Sequence, residues 1–134
     1  MMAVVVSVTA SCAKDVSFQK SPVTPAATAE AELGRDENGN VTVAITVEHL
    51  ADPADLDAEG DVYVAWAETK DGKVANLGQL TVGDDLEGTL ETITPFEKFK
   101  ILITAETTTT VQTPSDDVIL QTDYFAAENG SQGE

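Results

Sequence analysis

Val41-Thr42-Val43-Ala44-Ile45-Thr46-Val47-Glu48 is the stretch on which the fold turns. Val41, Val43, Ile45 and Val47 fall on one face of an extended chain, and Thr42, Thr46 and Glu48 fall on the other. Successive strand side chains alternate across the backbone, so this pattern predicts a strand with one face in a core and one in water. Just before it, Asp36-Glu37-Asn38-Gly39-Asn40 supplies residues that tolerate positive φ and predicts a hairpin turn. On the far side of that turn, Ala27 to Arg35 alternates again, with Ala27, Ala29, Ala31 and Leu33 opposite Glu30 and Glu32.

The same reading extends to the C-terminal side. Asp61 to Lys70 places Val62, Val64 and Trp66 on one face and Tyr63, Ala65 and Ala67 on the other, so both faces are expected to be covered. Asp71-Gly72 is a strong short hairpin signal joining that strand to Lys73 to Leu80. Leu86 to Thr94, Phe99 to Thr107 and Val118 to Phe125 complete the set, separated by Gly83-Asp84-Asp85, by Pro95 and by Pro114-Ser115-Asp116-Asp117. No segment keeps an apolar spacing of 3.6 residues over three turns. The expectation is an all-β, antiparallel, immunoglobulin-like β-sandwich of about seven strands over residues 27–125, with a fraying tail at 126–134.

The whole chain has 134 residues, one domain's length. Its formal net charge of −17 repels phosphate backbones and anionic head groups, which argues against a nucleic-acid partner. The hydrophobic fraction of 42% still suffices for a core, and the acids are spread along the chain, so the domain is expected to fold despite its charge.

The first residues, Met1 to Cys12, are apolar or small and give way abruptly to Lys14-Asp15, as at the end of a secretory signal peptide. Thr9-Ala10-Ser11-Cys12 resembles a bacterial lipobox, in which cleavage precedes a cysteine that then carries acyl chains; Thr9 stands where Leu is usual, and a basic leading region is missing. The expectation is a signal remnant over 1–11, lipidation at Cys12 and a tether over 12–26 rich in Pro, Ser, Thr and Ala. A plain cleaved signal and a buried first strand through Val4-Val5-Val6-Ser7-Val8 are the alternatives. Ala3 to Ala10 is too short to cross a bilayer, which takes about 20 apolar residues.

Tyr63-Val64-Ala65-Trp66, the turn at Asp71-Gly72, Asn76-Leu77-Gly78-Gln79-Leu80, Thr94-Pro95-Phe96, Ile103-Thr104-Ala105-Glu106 and Pro114 shortly before Val118-Ile119-Leu120 follow one another in a characteristic order. In that order and spacing the run from Val62 to Leu120 resembles the extracytoplasmic C-terminal domain of anti-sigma-K factors and the stand-alone bacterial lipoproteins similar to it. The resemblance implies a small β-sandwich outside the cytoplasmic membrane, with no catalytic residues to carry over. A whole anti-sigma factor would add a sigma-binding domain and a transmembrane helix, and this sequence contains neither pattern.

Few residues suggest chemistry. Trp66, the only tryptophan, reads as core rather than as a platform for a sugar or peptide. His49 is the only histidine and has no companion His or Cys within reach, so it reads as a surface residue at a strand end. Asp55, Asp57, Glu59 and Asp61 match the oxygen-bearing first half of an EF-hand loop, with Gly60 at its turn position. The twelfth position then falls on Trp66 instead of a bidentate Glu, so calcium is a minor expectation against a solvated acidic loop. No phosphate-binding glycine loop, serine elbow or triad order is present, and neither an enzyme nor a cofactor is expected.

Three functions remain. The first is a lipid-anchored extracytoplasmic binding or interaction module of the bacterial envelope, taking an envelope protein or a small ligand and meeting the membrane through its N-terminal lipid. The second is an acidic structural envelope protein adapted to salt, and the third a calcium-stabilised secreted module. A contiguous apolar or aromatic surface patch favours the first, a uniformly acidic surface without pockets the second, and a carboxylate cage around Asp55 to Asp61 the third.

Overall fold

The computed structural model describes residues 14–51, 53 and 60–127. Among them are nine strands and no α-helix: β1 (Lys14–Ser17), β2 (Thr28–Arg35), β3 (Val41–Glu48), β4 (Val62–Glu68), β5 (Val74–Val82), β6 (Gly88–Thr94), β7 (Lys98–Glu106), β8 (Val118–Gln121) and β9 (Phe125–Ala126). Every pairing is antiparallel, in the order β1-β2-β3-β6-β5-β4-β7-β8, with β9 on the start of β7. The sheet is curled into a half-barrel.

The hairpins arise where the sequence places turn residues. Ala31 pairs with Ile45 and Leu33 with Val43, so the alternation of β2 and β3 falls in register on one face. Their turn is held by Asp36, whose carboxylate accepts hydrogen bonds from the amides of Asn38 and Asn40, each at 2.9 Å. Between β4 and β5, Gly72 takes φ +96°, a conformation that an L side chain rarely adopts.

Curling follows from β5. Its first part, from Val74 to Leu80, pairs with β4, and its end, Thr81 and Val82, pairs with β6. The pairing is therefore one continuous path rather than two unlinked sheets. Leu77 is inserted as a bulge opposite the Ala65–Trp66 step, which adds local twist. Gly88 lets β5 and β6 approach, since a Cβ there would stand 2.4 Å from the carbonyl oxygen of Thr81. The concave face buries one core in which Leu33, Ile45 and Val47 from one half meet Tyr63, Ile101 and Ile103 from the other.

Trp66 lies on the opposite, convex face of β4, with Val64 and Leu102, and is fully buried there. Val111, from the segment between β7 and β8, packs over this cluster. The indole Nε1–H donates to Thr104 Oγ1 at 2.9 Å, and the Thr104 hydroxyl donates to Glu106 Oε2 at 2.5 Å. The amide of Ser115 donates to the same carboxylate oxygen at 2.8 Å. The covering segment is tied from another side by Asn76, whose side-chain amide donates to the carbonyls of Thr109 and Val111. Both faces of β4 are covered as expected, and Trp66 is core.

Nine strands stand where about seven were expected: β1 is added, and the stretch expected from Val118 to Phe125 is broken after Gln121, so that Phe125 belongs to β9. Residues 14–17, expected within a tether, pair instead with residues 30–33 of β2. Beyond β1 the chain crosses to the other edge of the sheet, where the amide of Gln19 donates to the carbonyl of Gln121 at 2.8 Å. The segment from Phe18 to Ala27 thus bonds to β2 and to the end of β8, with Ser21 buried and accepting from the amides of Val23 and Thr24. Ala126 and Ala127, expected at the start of a fraying tail, are held too: the Ala127 amide donates to the carbonyl of Glu97 at 2.7 Å.

Candidate functional site

The turns β2–β3, β4–β5 and β6–β7 lie at one end of the half-barrel, as the registers of the paired strands require. At this end a groove of about 570 Å³ opens between the β4–β5 hairpin, the β6–β7 turn and the segment leading into β9. Such a volume lies within the range of small-ligand sites. Its apolar surface comes from Phe96, Tyr124 and Phe125, and its charge from Lys70, Lys73 and Lys98.

The aromatic part is built on a buried ring. Phe99, the second residue of β7, is fully buried; Phe125 meets it edge-on at 4.7 Å between centroids, and Phe96 lies 6.4 Å away. Edge-to-face packing is favoured by the ring quadrupoles and fixes the orientation of the partners. Tyr124 remains 38% exposed at the mouth. The ammonium groups of Lys70 and Lys100 stand 5.3 and 5.1 Å from its ring centroid, within cation–π range.

The two carboxylates of the lining are engaged by other groups. Asp71 accepts from the hydroxyl of Thr69, and that hydrogen bond, with the Lys73 charge adding to it, holds its carboxyl below the usual carboxylate range. Glu97 receives both guanidinium arms of Arg35, at 2.8 and 2.5 Å, and its carboxyl is likewise lowered by that hydrogen bonding and by the Arg35 charge. Among the described residues no carboxylate lies within ion-pair distance of Lys70, Lys73 or Lys98. Among the described residues Lys70 and Lys98 thus have no carboxylate partner, while Lys73 acts on Asp71, in a chain whose overall charge is −17.

The Arg35–Glu97 pair gives a prediction with a definite sign. The folded-state pKa of Glu97 is lowered, so its stabilisation is present above the unfolded value, near 4.5, and is lost as pH falls through the folded value. Glu97 is about half exposed, and solvent screening limits the pair to about 1 kcal/mol or less. Glu97→Gln should therefore be slightly less stable than the unmodified protein at pH 7, with the gap closing in urea melts as pH falls below the unfolded value. A gap that widens toward low pH would contradict this assignment.

Asp61, His49 and Trp66, singled out in the sequence, do not line this groove. Cys12, Asp55, Asp57 and Glu59 lie outside the described residues. Asp61 is exposed, with its amide donating to the carbonyl of Glu106 at 2.8 Å. Among the described residues no group of three or more His, Cys, Asp or Glu side chains could hold a metal ion. His49 is exposed at the end of β3 and takes φ +58°, which turns the chain so that buried Leu50 can donate its amide to Leu86. The groove has no local sequence motif, because Lys70, Phe96 and Tyr124 are far apart along the chain. Its one sequence signal is the concentration of Lys70, Lys73, Lys98 and Lys100 around two turn sites in an otherwise acidic chain.

Comparison of the chain with protein-family models, with curated proteins and with solved structures finds no match.

Proposed function

We propose that the protein is a non-catalytic binding module of the bacterial cell envelope, held there by lipid on Cys12 and similar in kind to the extracytoplasmic sensing domain of anti-sigma-K factors. The observation that carries the binding role is the aromatic, lysine-lined groove, a concave apolar surface with a few convergent charges on an otherwise acidic protein. A uniformly acidic, solubilising surface gives no reason to gather aromatic rings and lysines at one end. In this reading the half-barrel is an immunoglobulin-like sandwich whose two layers, β1-β2-β3-β6 and β5-β4-β7-β8, stay joined through the end of β5.

The anchor and the groove are tested separately. Mass spectrometry of protein taken from its native membrane should show loss of residues 1–11 and added lipid mass on Cys12; an intact Met1 or a free thiol would remove the anchor. For the groove, amide resonances are followed while three naphthalene probes are titrated: the 2-carboxylate, the neutral 2-carboxamide and the cationic 2-methylamine. At least one should give saturable shifts confined to residues 69–73, 96–98 and 124–126. Scattered or absent shifts with all three would remove the groove as a binding site.

A further inference from the structure

We infer that the groove selects a small amphiphilic anion, a flat apolar or aromatic body bearing a carboxylate; this rests on the reading of the groove as a binding site. The apolar body is matched by Phe96 and Phe125, seated against the buried ring of Phe99, and by the exposed ring of Tyr124. The negative charge is matched by Lys70 and Lys98, exposed and without a carboxylate partner among the described residues.

Every Lys and Arg of the chain except Lys20 is placed at this end: Lys70, Lys73, Lys98 and Lys100 in or beside the groove, Arg35 bound to Glu97, and Lys14 5.9 Å from the ring of Phe125. The acids that line the groove, Asp71 and Glu97, hydrogen-bond to Thr69 and Arg35 and lie beyond ion-pair distance of Lys70 and Lys98. The lining thus carries three ammonium groups against two carboxylates, one of them engaged by Arg35, in a protein whose long-range field repels anions. An anion held there gains from close contact with ammonium groups rather than from steering at a distance. The size also matters: a groove of about 570 Å³ suits a ligand of one or two rings rather than a polymer.

The three naphthalene probes decide the matter, because they share one apolar body and differ in charge. Naphthalene-2-carboxylate should bind about tenfold tighter than the carboxamide, the size expected of one charge-assisted contact. The cationic amine should bind more weakly than either. Raising NaCl from 0.02 to 0.5 M should weaken the carboxylate and leave the carboxamide nearly unchanged, since screening acts on charge alone. In Lys70→Gln/Lys98→Gln, with folding checked by its melting curve, the affinity for the carboxylate should fall to that for the carboxamide.

Equal binding of carboxylate and carboxamide, or tighter binding of the amine, would overturn the selection of anions while leaving a binding groove in place. Failure of all three probes would overturn the groove itself. Should the double variant fail to fold, the salt dependence of the unmodified protein decides alone: an affinity for the carboxylate that does not change with salt overturns the inference.

Discussion

Trp66→Ala should lower the stability of the protein by about 3–5 kcal/mol, the cost of removing a large buried aromatic side chain and leaving a cavity. The indole is fully buried between Val64 and Leu102 under the segment that carries Val111. Its loss would also leave Thr104 without the donor that it accepts from, although Thr104 would still donate to Glu106. Urea melts measure the stability, and native tryptophan emission should be blue-shifted relative to the unfolded chain. Trp66→Phe, which keeps much of the ring volume and removes the N–H, should cost distinctly less. A red native emission together with an unchanged midpoint for Trp66→Ala would place the indole in water and refute the assignment.

The second large effect is expected from a single added methyl group. Gly88→Ala would bring a Cβ to 2.4 Å from the carbonyl oxygen of Thr81, a backbone atom that no rotamer change can move. Gly88 is also paired with Val82 at one of the two positions where β5 joins β6. Relief of the clash therefore requires the two halves of the sheet to part at their junction. The expected loss is about 1–3 kcal/mol, the usual range for overpacking. Gly39→Ala is a useful contrast, because a Cβ there meets nothing within 4 Å and its cost comes only from φ +85°. Equal stability of Gly88→Ala and the unmodified protein would show that the junction can yield.

These two residues illustrate what could be read from the chain in advance. The faces of β3 and β4, and with them the burial of Trp66, follow from a period of two, which side-chain type alone reveals. Gly83-Asp84-Asp85 marks the turn before β6, but not that Gly88 sits at a close approach of two backbones, since that depends on which strands become neighbours. β1 was illegible for a related reason. Lys14-Asp15-Val16-Ser17 carries one apolar residue, and an edge strand of this kind is held by backbone hydrogen bonds that any sequence can make. The groove escaped because it is assembled by three turns and the approach to β9, so its residues become neighbours only after the strand order is set.

The position of β1 has a consequence for how the domain would stand on a surface. Lys14 opens the strand at the groove end, and its ammonium donates to the carbonyl of Ala126 at 2.8 Å. Chain entry and chain exit thus sit side by side, next to the rings of the groove. Cys12 precedes Lys14 by two residues, a leash of at most about 7 Å between their Cα atoms. If Cys12 carries acyl chains, as proposed, a leash that short would keep this end of the domain close to the bilayer. The groove would then open near the membrane surface. A ligand concentrated at the membrane surface would then lie within reach of the groove, and the anchor would favour the molecules that gather there.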